Sequence, residues 1–176
     1  MKKILSLLGI IALIGTSTTN LVACNTPQKQ EYSPKELKEL KEKNKISTKD
    51  GILEWIAPQE KHFSTADNNY YFVVWRGTIN DNWIIKLFQN ISFSERRKVL
   101  DTQEDYELAL TRVGDNLFRV KTRAVRPVSS WSQDDRTYFK SVYFWNKNIN
   151  IPNLIVDYKT GEIKVKEINI KTHLIN

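Results

Sequence analysis

Phe118-Arg119-Val120-Lys121-Thr122-Arg123-Ala124 is the stretch whose residue types and spacing come closest to doing chemistry. Strand alternation turns Phe118, Val120, Thr122 and Ala124 inward and sets Arg119, Lys121 and Arg123 on one outer face, about 7 Å apart. Such a row of cations is a candidate face for an anionic ligand, gripping phosphates, sulfated sugar or lipid headgroups. The alternative, and the commoner case, is a solvated strand face whose charges pair with Glu or Asp on a neighbour. Arg112 and Arg126 flank the row and lengthen it if their register agrees.

The other reactive residues are few. Cys24 is the only cysteine, and His62 and His173 are the only histidines. A thiol nucleophile needs a base and an acid beside it, and neither histidine stands in such a motif. Zinc-ligand spacing is absent for the same reason. Asn80-Asp81-Asn82 and Asp134-Asp135 lack the periodic oxygens and the glycine of a calcium loop, and read as turns. No Gly-x-Ser-x-Gly elbow and no phosphate-cradling glycine loop occurs. No metal and no cofactor is therefore implied. A hydrolytic carboxylate pair is the one device a sequence does not display, since any two of the twenty acids can converge. Trp131, between Ser130 and Ser132, falls in an expected loop, where it either meets a sugar or peptide or folds back onto the core.

These side chains need a scaffold to place them. A chain of 176 residues suggests one domain with appendages, and five Trp, seven Tyr and seven Phe supply apolar mass for a packed core. From Ile52 onward the pattern is β. Residues 69–76 and 83–88 are aromatic and β-branched arms around a turn at 77–82, both apolar enough to be central strands. Gly114-Asp115-Asn116 joins 106–113 to 117–125, and Tyr158-Lys159-Thr160-Gly161 joins 154–157 to 162–168, as two more hairpins. Residues 137–145 form a strand, while 91–102 stays ambiguous, with a short helix able to open at Ser94. The expected fold is mainly β (α+β) over 52–176, an antiparallel sheet or sandwich of about seven or eight strands built from hairpins.

Ahead of that body, Ser33-Pro34-Lys35-Glu36 carries three agreeing helix-start signals. Ser33 caps, Pro34 suits the first position and Glu36 closes a capping box. The spacing predicts an N-terminal amphipathic spacer helix over 34–47, with Leu37, Leu40 and Ile46 as its narrow apolar stripe and Glu39 paired to Lys43. Residues 24–33 are polar and patternless, and read as a flexible tether.

The first residues follow the order of a secretory signal. Lys2 and Lys3 precede an almost wholly apolar run over 4–15 and a polar, small-residue stretch over 16–20. The run is too short to cross a hydrocarbon core of roughly 30 Å unaided. Its sequel, Leu21-Val22-Ala23-Cys24, resembles the bacterial lipobox. That resemblance implies cleavage between Ala23 and Cys24 and a diacylglyceryl group on the Cys24 thiol. With its Met1-Lys2-Lys3-Ile4-Leu5 opening, the segment is similar to the signals of surface lipoproteins of wall-less bacteria, the spiroplasma and mycoplasma group. The likeness is confined to about the first 25 residues. It implies a signal peptide at 1–23, a membrane partner through lipid on Cys24 and a place on the outer face of the cell membrane. It implies no activity.

Net charge is +7, and about +5 remains once Lys2 and Lys3 are removed, a balance that favours anionic partners. With no catalytic motif to set against it, the expectation is a lipid-anchored, non-enzymatic binding module for a macromolecular ligand. The alternatives are a surface nuclease or glycosidase and a structural subunit of an envelope complex.

Overall fold

The computed structural model describes residues 31–60, 63–112, 114, 116–145 and 150–166. The leader, Ala23, Cys24, His62 and His173 lie outside the described residues.

The expected capping box forms. Ser33 Oγ accepts from the Glu36 amide while the Glu36 carboxylate accepts from the Ser33 amide at 2.8 Å, and this opens α1 (Pro34–Asn44). No residue of α1 is buried; Leu37 and Leu40 pack on the body, and Lys41 pairs with Glu60 at 2.5 Å. The helix is therefore a thin apolar stripe laid on a surface, not a strongly amphipathic element. It also ends before residue 47, because Ile46–Ser47 is drawn out as a short strand, β1. Docking begins inside the expected tether. Tyr32 packs edge-on against Trp55 at 6.2 Å, and its backbone N–H and C=O both bond the Gln59 side chain.

Ten more strands follow, namely β2 (Ile52–Ile56), β3 (Tyr70–Trp75), β4 (Ile84–Gln89), β5 (Lys98–Gln103), β6 (Tyr106–Leu110), β7 (Leu117–Lys121), β8 (Pro127–Ser130), β9 (Phe139–Trp145), β10 (Leu154–Val156) and β11 (Ile163–Val165). Every ladder is antiparallel. One sheet has the order β1-β2-β9-β3-β4, the other β5-β6-β7-β8, and β10–β11 is a separate hairpin. The fold is mainly β, as the hairpin pattern predicts, with extra short strands at β1, β8 and the halves of segments expected to be longer.

The two sheets form a sandwich. Tyr71, Val73 and Trp75 of β3 face Leu108 and Leu110 of β6 and Leu117 of β7 across a common core that also takes in Trp131. Trp131 is thus a core residue, not a loop aromatic for a ligand. The apolar arms at 69–76 and 83–88 pair as expected, but only β3 is central. β4 is an edge strand, and its Leu87 is exposed. β3 is flanked on both edges because β9 returns from the far side of the sequence to lie between β2 and β3, with Tyr143 opposite both Trp55 and Phe72.

The outer face of the β1-β2-β9-β3-β4 sheet is closed. Leu53, Trp55, Phe72, Tyr143 and Trp145 are buried there beneath Tyr32, Leu37 and Leu40 on one side and Leu154 and Ile163 of β10–β11 on the other. The outer face of the second sheet carries only a small cluster, Ala109, Phe118 and Val120 with Ala124 against it. Both clusters and the central core draw on residues between Tyr32 and Ile163, so a chain beginning at Asn25 retains all of the packed body.

Candidate functional site

The Arg119, Lys121 and Arg123 row does not form. Register places Leu108 opposite Arg119 and Leu110 opposite Leu117, so the Leu117/Arg119 parity of β7 faces the sandwich interior. Arg119 is 5% exposed. Its Nε donates to Ser129 Oγ at 3.1 Å, its Nη1 donates to the Gly77 carbonyl, and the guanidinium lies 3.6 Å from the Tyr138 ring centroid and 4.2 Å from that of Tyr106. A cation desolvated between two π faces gains about 2 kcal/mol from them, which helps to hold it inside without a carboxylate partner among the described residues. Arg119 is an internal strut. Lys121 is exposed at the strand end, and Arg123 lies beyond β7 in the turn closed by the Ala124 amide on the Lys121 carbonyl. Alternation on β7 does bury Phe118 and Val120, but the main core lies against the opposite face of the strand.

That second parity is the floor of a groove. Phe118 and Ala124 lie beneath a hollow of about 770 Å³ on the outer face of the second sheet. One wall is residues 91–97, a strap linking β4 to β5 that brings in Phe93, Glu95, Arg96 and Arg97. The other is the approach to β8, with Val125 and Pro127. Arg112 and Arg123 complete the rim. A second hollow of about 620 Å³ lies on the far side of the strap, sharing Phe93, Glu95 and Arg97.

Two of these arginines build the groove and two are left over. Arg112 Nη1 donates to the Phe63 carbonyl at 2.9 Å and to Asn90 Oδ1 at 2.8 Å, its Nη2 donates to the Ile91 carbonyl at 2.7 Å, and its guanidinium lies 4.6 Å from the Phe93 ring. Asn90, 0% exposed, is aimed at Arg112 by donating to the Thr65 carbonyl and to Asp67 Oδ1. Arg97 donates to the Ala124 carbonyl at 2.6 Å and to Glu107 Oε2 at 2.9 Å, tying the strap to the opposite wall. Arg96 and Arg123 are exposed, and their guanidinium groups make no hydrogen bond or ion pair among the described residues. Arg123 also has φ of 65°, a left-handed conformation that costs a non-glycine residue about 1–2 kcal/mol.

The sequence pointed at Arg123 for the wrong reason and missed Arg96 and Arg97. The sequence leaves 91–102 ambiguous, and the pairing of β5 from Lys98 onward shows 91–97 to be a strap. The available signal was the Arg96-Arg97 pair beside apolar Phe93.

Elsewhere, a cleft of about 350 Å³ gathers Lys43, Lys45, Arg136 and Lys140 near the end of α1. Lys45 is paired with Glu42 at 2.5 Å and Arg136 donates to the Tyr32 hydroxyl at 3.3 Å, so part of its charge is already met. Asp81 and Asp134, which the sequence reads as turn residues, serve their own loops. Asp81 accepts from the Thr78 amide and hydroxyl, and Asp134 from the Tyr138 and Phe139 amides. Burial holds the Asp134 carboxyl above the usual carboxylate value, against those amide bonds. Among the described residues no three His, Cys, Asp or Glu side chains are grouped to hold a metal ion, and no helix is long and apolar enough to cross a membrane. No protein-family model, curated protein or solved structure matches this chain.

Proposed function

We propose that the chain is a non-enzymatic binding module, held on the outer face of a membrane by lipid on Cys24, and that its ligand seat is the arginine-rimmed groove over β5–β8. The observation that carries this reading is the unmet charge of Arg96 and Arg123 on a concave apolar floor. Guanidinium forks suit carboxylate, phosphate and sulfate oxygens, so the ligand is anionic. Glu95 is the single acid among the described residues lining the groove, whereas glycoside hydrolysis needs a carboxylate pair. Anchoring is compatible with this seat. From Cys24 to the docked Tyr32 the chain reaches at most about 28 Å, which keeps the body close to the bilayer.

Two measurements test the proposal. Isothermal titration of the chain from Asn25 with a sulfated oligosaccharide, a polyphosphate and an anionic amphiphile should show saturable, salt-weakened binding to at least one of them. An Arg96→Gln/Arg123→Gly double variant should lose it. Binding to none, or binding that survives the double substitution, rejects the groove. Labelled palmitate should enter the wild-type protein and not Cys24→Ser, and equal labelling of both rejects the anchor.

A further inference from the structure

The groove asks for more than charge. We infer that its ligand is a monomeric single-chain amphiphilic anion, with the apolar chain on the floor and the oxyanion head at Arg96 and Arg123. This inference rests on the reading of the groove as the ligand seat.

Three observations select that chemistry. The floor and the wall towards β8 are hydrocarbon, from Phe118, Ala124, Val125 and Pro127, and a wholly polar anion offers no apolar surface to bury against them. Val125 is 72% exposed at the groove and Val128 54% exposed nearby on β8, aliphatic surface that a chain would remove from water. A sulfated sugar would also need uncharged hydrogen-bonding side chains for its hydroxyls, and Thr111 is the only one among the described lining residues. The hollow of about 770 Å³ lies in the range of small-molecule sites and is roomy for a bare phosphate or sulfate. Head and chain are thus both specified. An oxyanion without a chain wastes the floor, and a neutral chain leaves Arg96 and Arg123 unmet.

Arg123 gives a clean variant. Its φ of 65° is one that glycine adopts freely, so Arg123→Gly removes the cation and relieves the backbone at once. A purely structural role predicts that this substitution does nothing to binding.

The test is a homologous series of alkyl carboxylates and alkyl phosphates, kept below their micellar concentrations and titrated into the chain from Asn25. Alkyl trimethylammonium, alkanol and inorganic phosphate serve as controls. Affinity should rise about two- to fourfold per added methylene until the floor is full, for one or both anionic heads. Alkanol and alkyl trimethylammonium should bind at least about tenfold more weakly than the anion of equal length. Arg123→Gly, Arg96→Gln and Val125→Glu should each weaken the anion by about tenfold while the thermal melt stays at or above the wild-type value, Arg123→Gly included. A carboxylate series that responds while the phosphate series does not identifies the head, and the converse likewise. Affinity indifferent to chain length, or matched by the cationic amphiphile, overturns the inference. If a sulfated oligosaccharide binds at Arg96 and Arg123 instead, the inference fails while the groove remains the seat. If no anion of any kind binds, both fail.

Discussion

Phe72 and Phe118 sit on strands inside their sheets, 4% and 3% exposed, on the two outer faces of one sandwich. Phe72 is sealed among Trp55, Tyr143 and Trp145 beneath a helix and a hairpin. Phe118 is flanked by Val120 and two alanines, Ala109 and Ala124, and roofed by a strap with a hollow on either side. Equal burial therefore hides unequal construction. The first face is filled by aromatic volume, while the second is left partly empty and spanned by arginines. One outer face is closed by packing, and the other keeps a hollow at its surface.

The largest effects separate the faces directly. Phe72→Ala should destabilise by about 4–5 kcal/mol, since the cavity it leaves is walled by large rings that do not collapse. Phe118→Ala should cost about 3 kcal/mol or less, because its cavity merges with the groove and fills with water. Denaturant unfolding of the two variants measures this, and equal losses would erase the distinction between the faces.

Asn90→Ala comes next. It strips an acceptor from Arg112 and a donor from the Thr65 carbonyl at a fully buried position, a loss of about 2–3 kcal/mol. Amide exchange should then accelerate in the strap, residues 91–97, more than in β10–β11. Uniform acceleration would mean that Arg112 is not the clamp of the open face. Arg119→Met sharpens the contrast from inside the sandwich. Losing the bonds to Gly77 and Ser129 should cost about 1–3 kcal/mol with ligand affinity unchanged. A fall in affinity at preserved fold would show that Arg119 acts at the proposed seat and not only inside the sandwich.

Local chemistry was readable along the chain and distant pairing was not. The capping box at Ser33 and Glu36 and the hairpins β3–β4, β6–β7 and β10–β11 are made by neighbours, so residue types alone specify them. The insertion of β9 between β2 and β3 joins segments far apart in sequence, and no local pattern encodes it. The candidate site suffered most from this. Alternation on β7 tells which residues share a face, but Phe118 and Val120 look like a main-core face whether they meet the opposite sheet or a strap. The side chain of Arg119 becomes interior only because Tyr106 and Tyr138, on other strands or loops, close around it. Arg96 and Arg97 become a rim only once β5 pairs with β6.

The smallest expected effect probes the hairpin that seals the first face. Asp157 accepts from the Lys159 and Thr160 amides at 2.9 and 2.8 Å, and these bonds hold its carboxyl below the usual value of 3.8. The folded state then binds this proton less readily than the unfolded chain does. The stabilisation is complete above 3.8 and is lost as pH falls through the lower folded value. In wild-type protein the Lys159 and Thr160 amide shifts should titrate together with a midpoint below 3.8, and Asp157→Asn should abolish that titration. At neutral pH the variant should loosen β10–β11 and leave the strap at 91–97 untouched, a difference that should vanish in acid. Loosening of the strap by the same substitution would show that the two outer faces are coupled and not independently built.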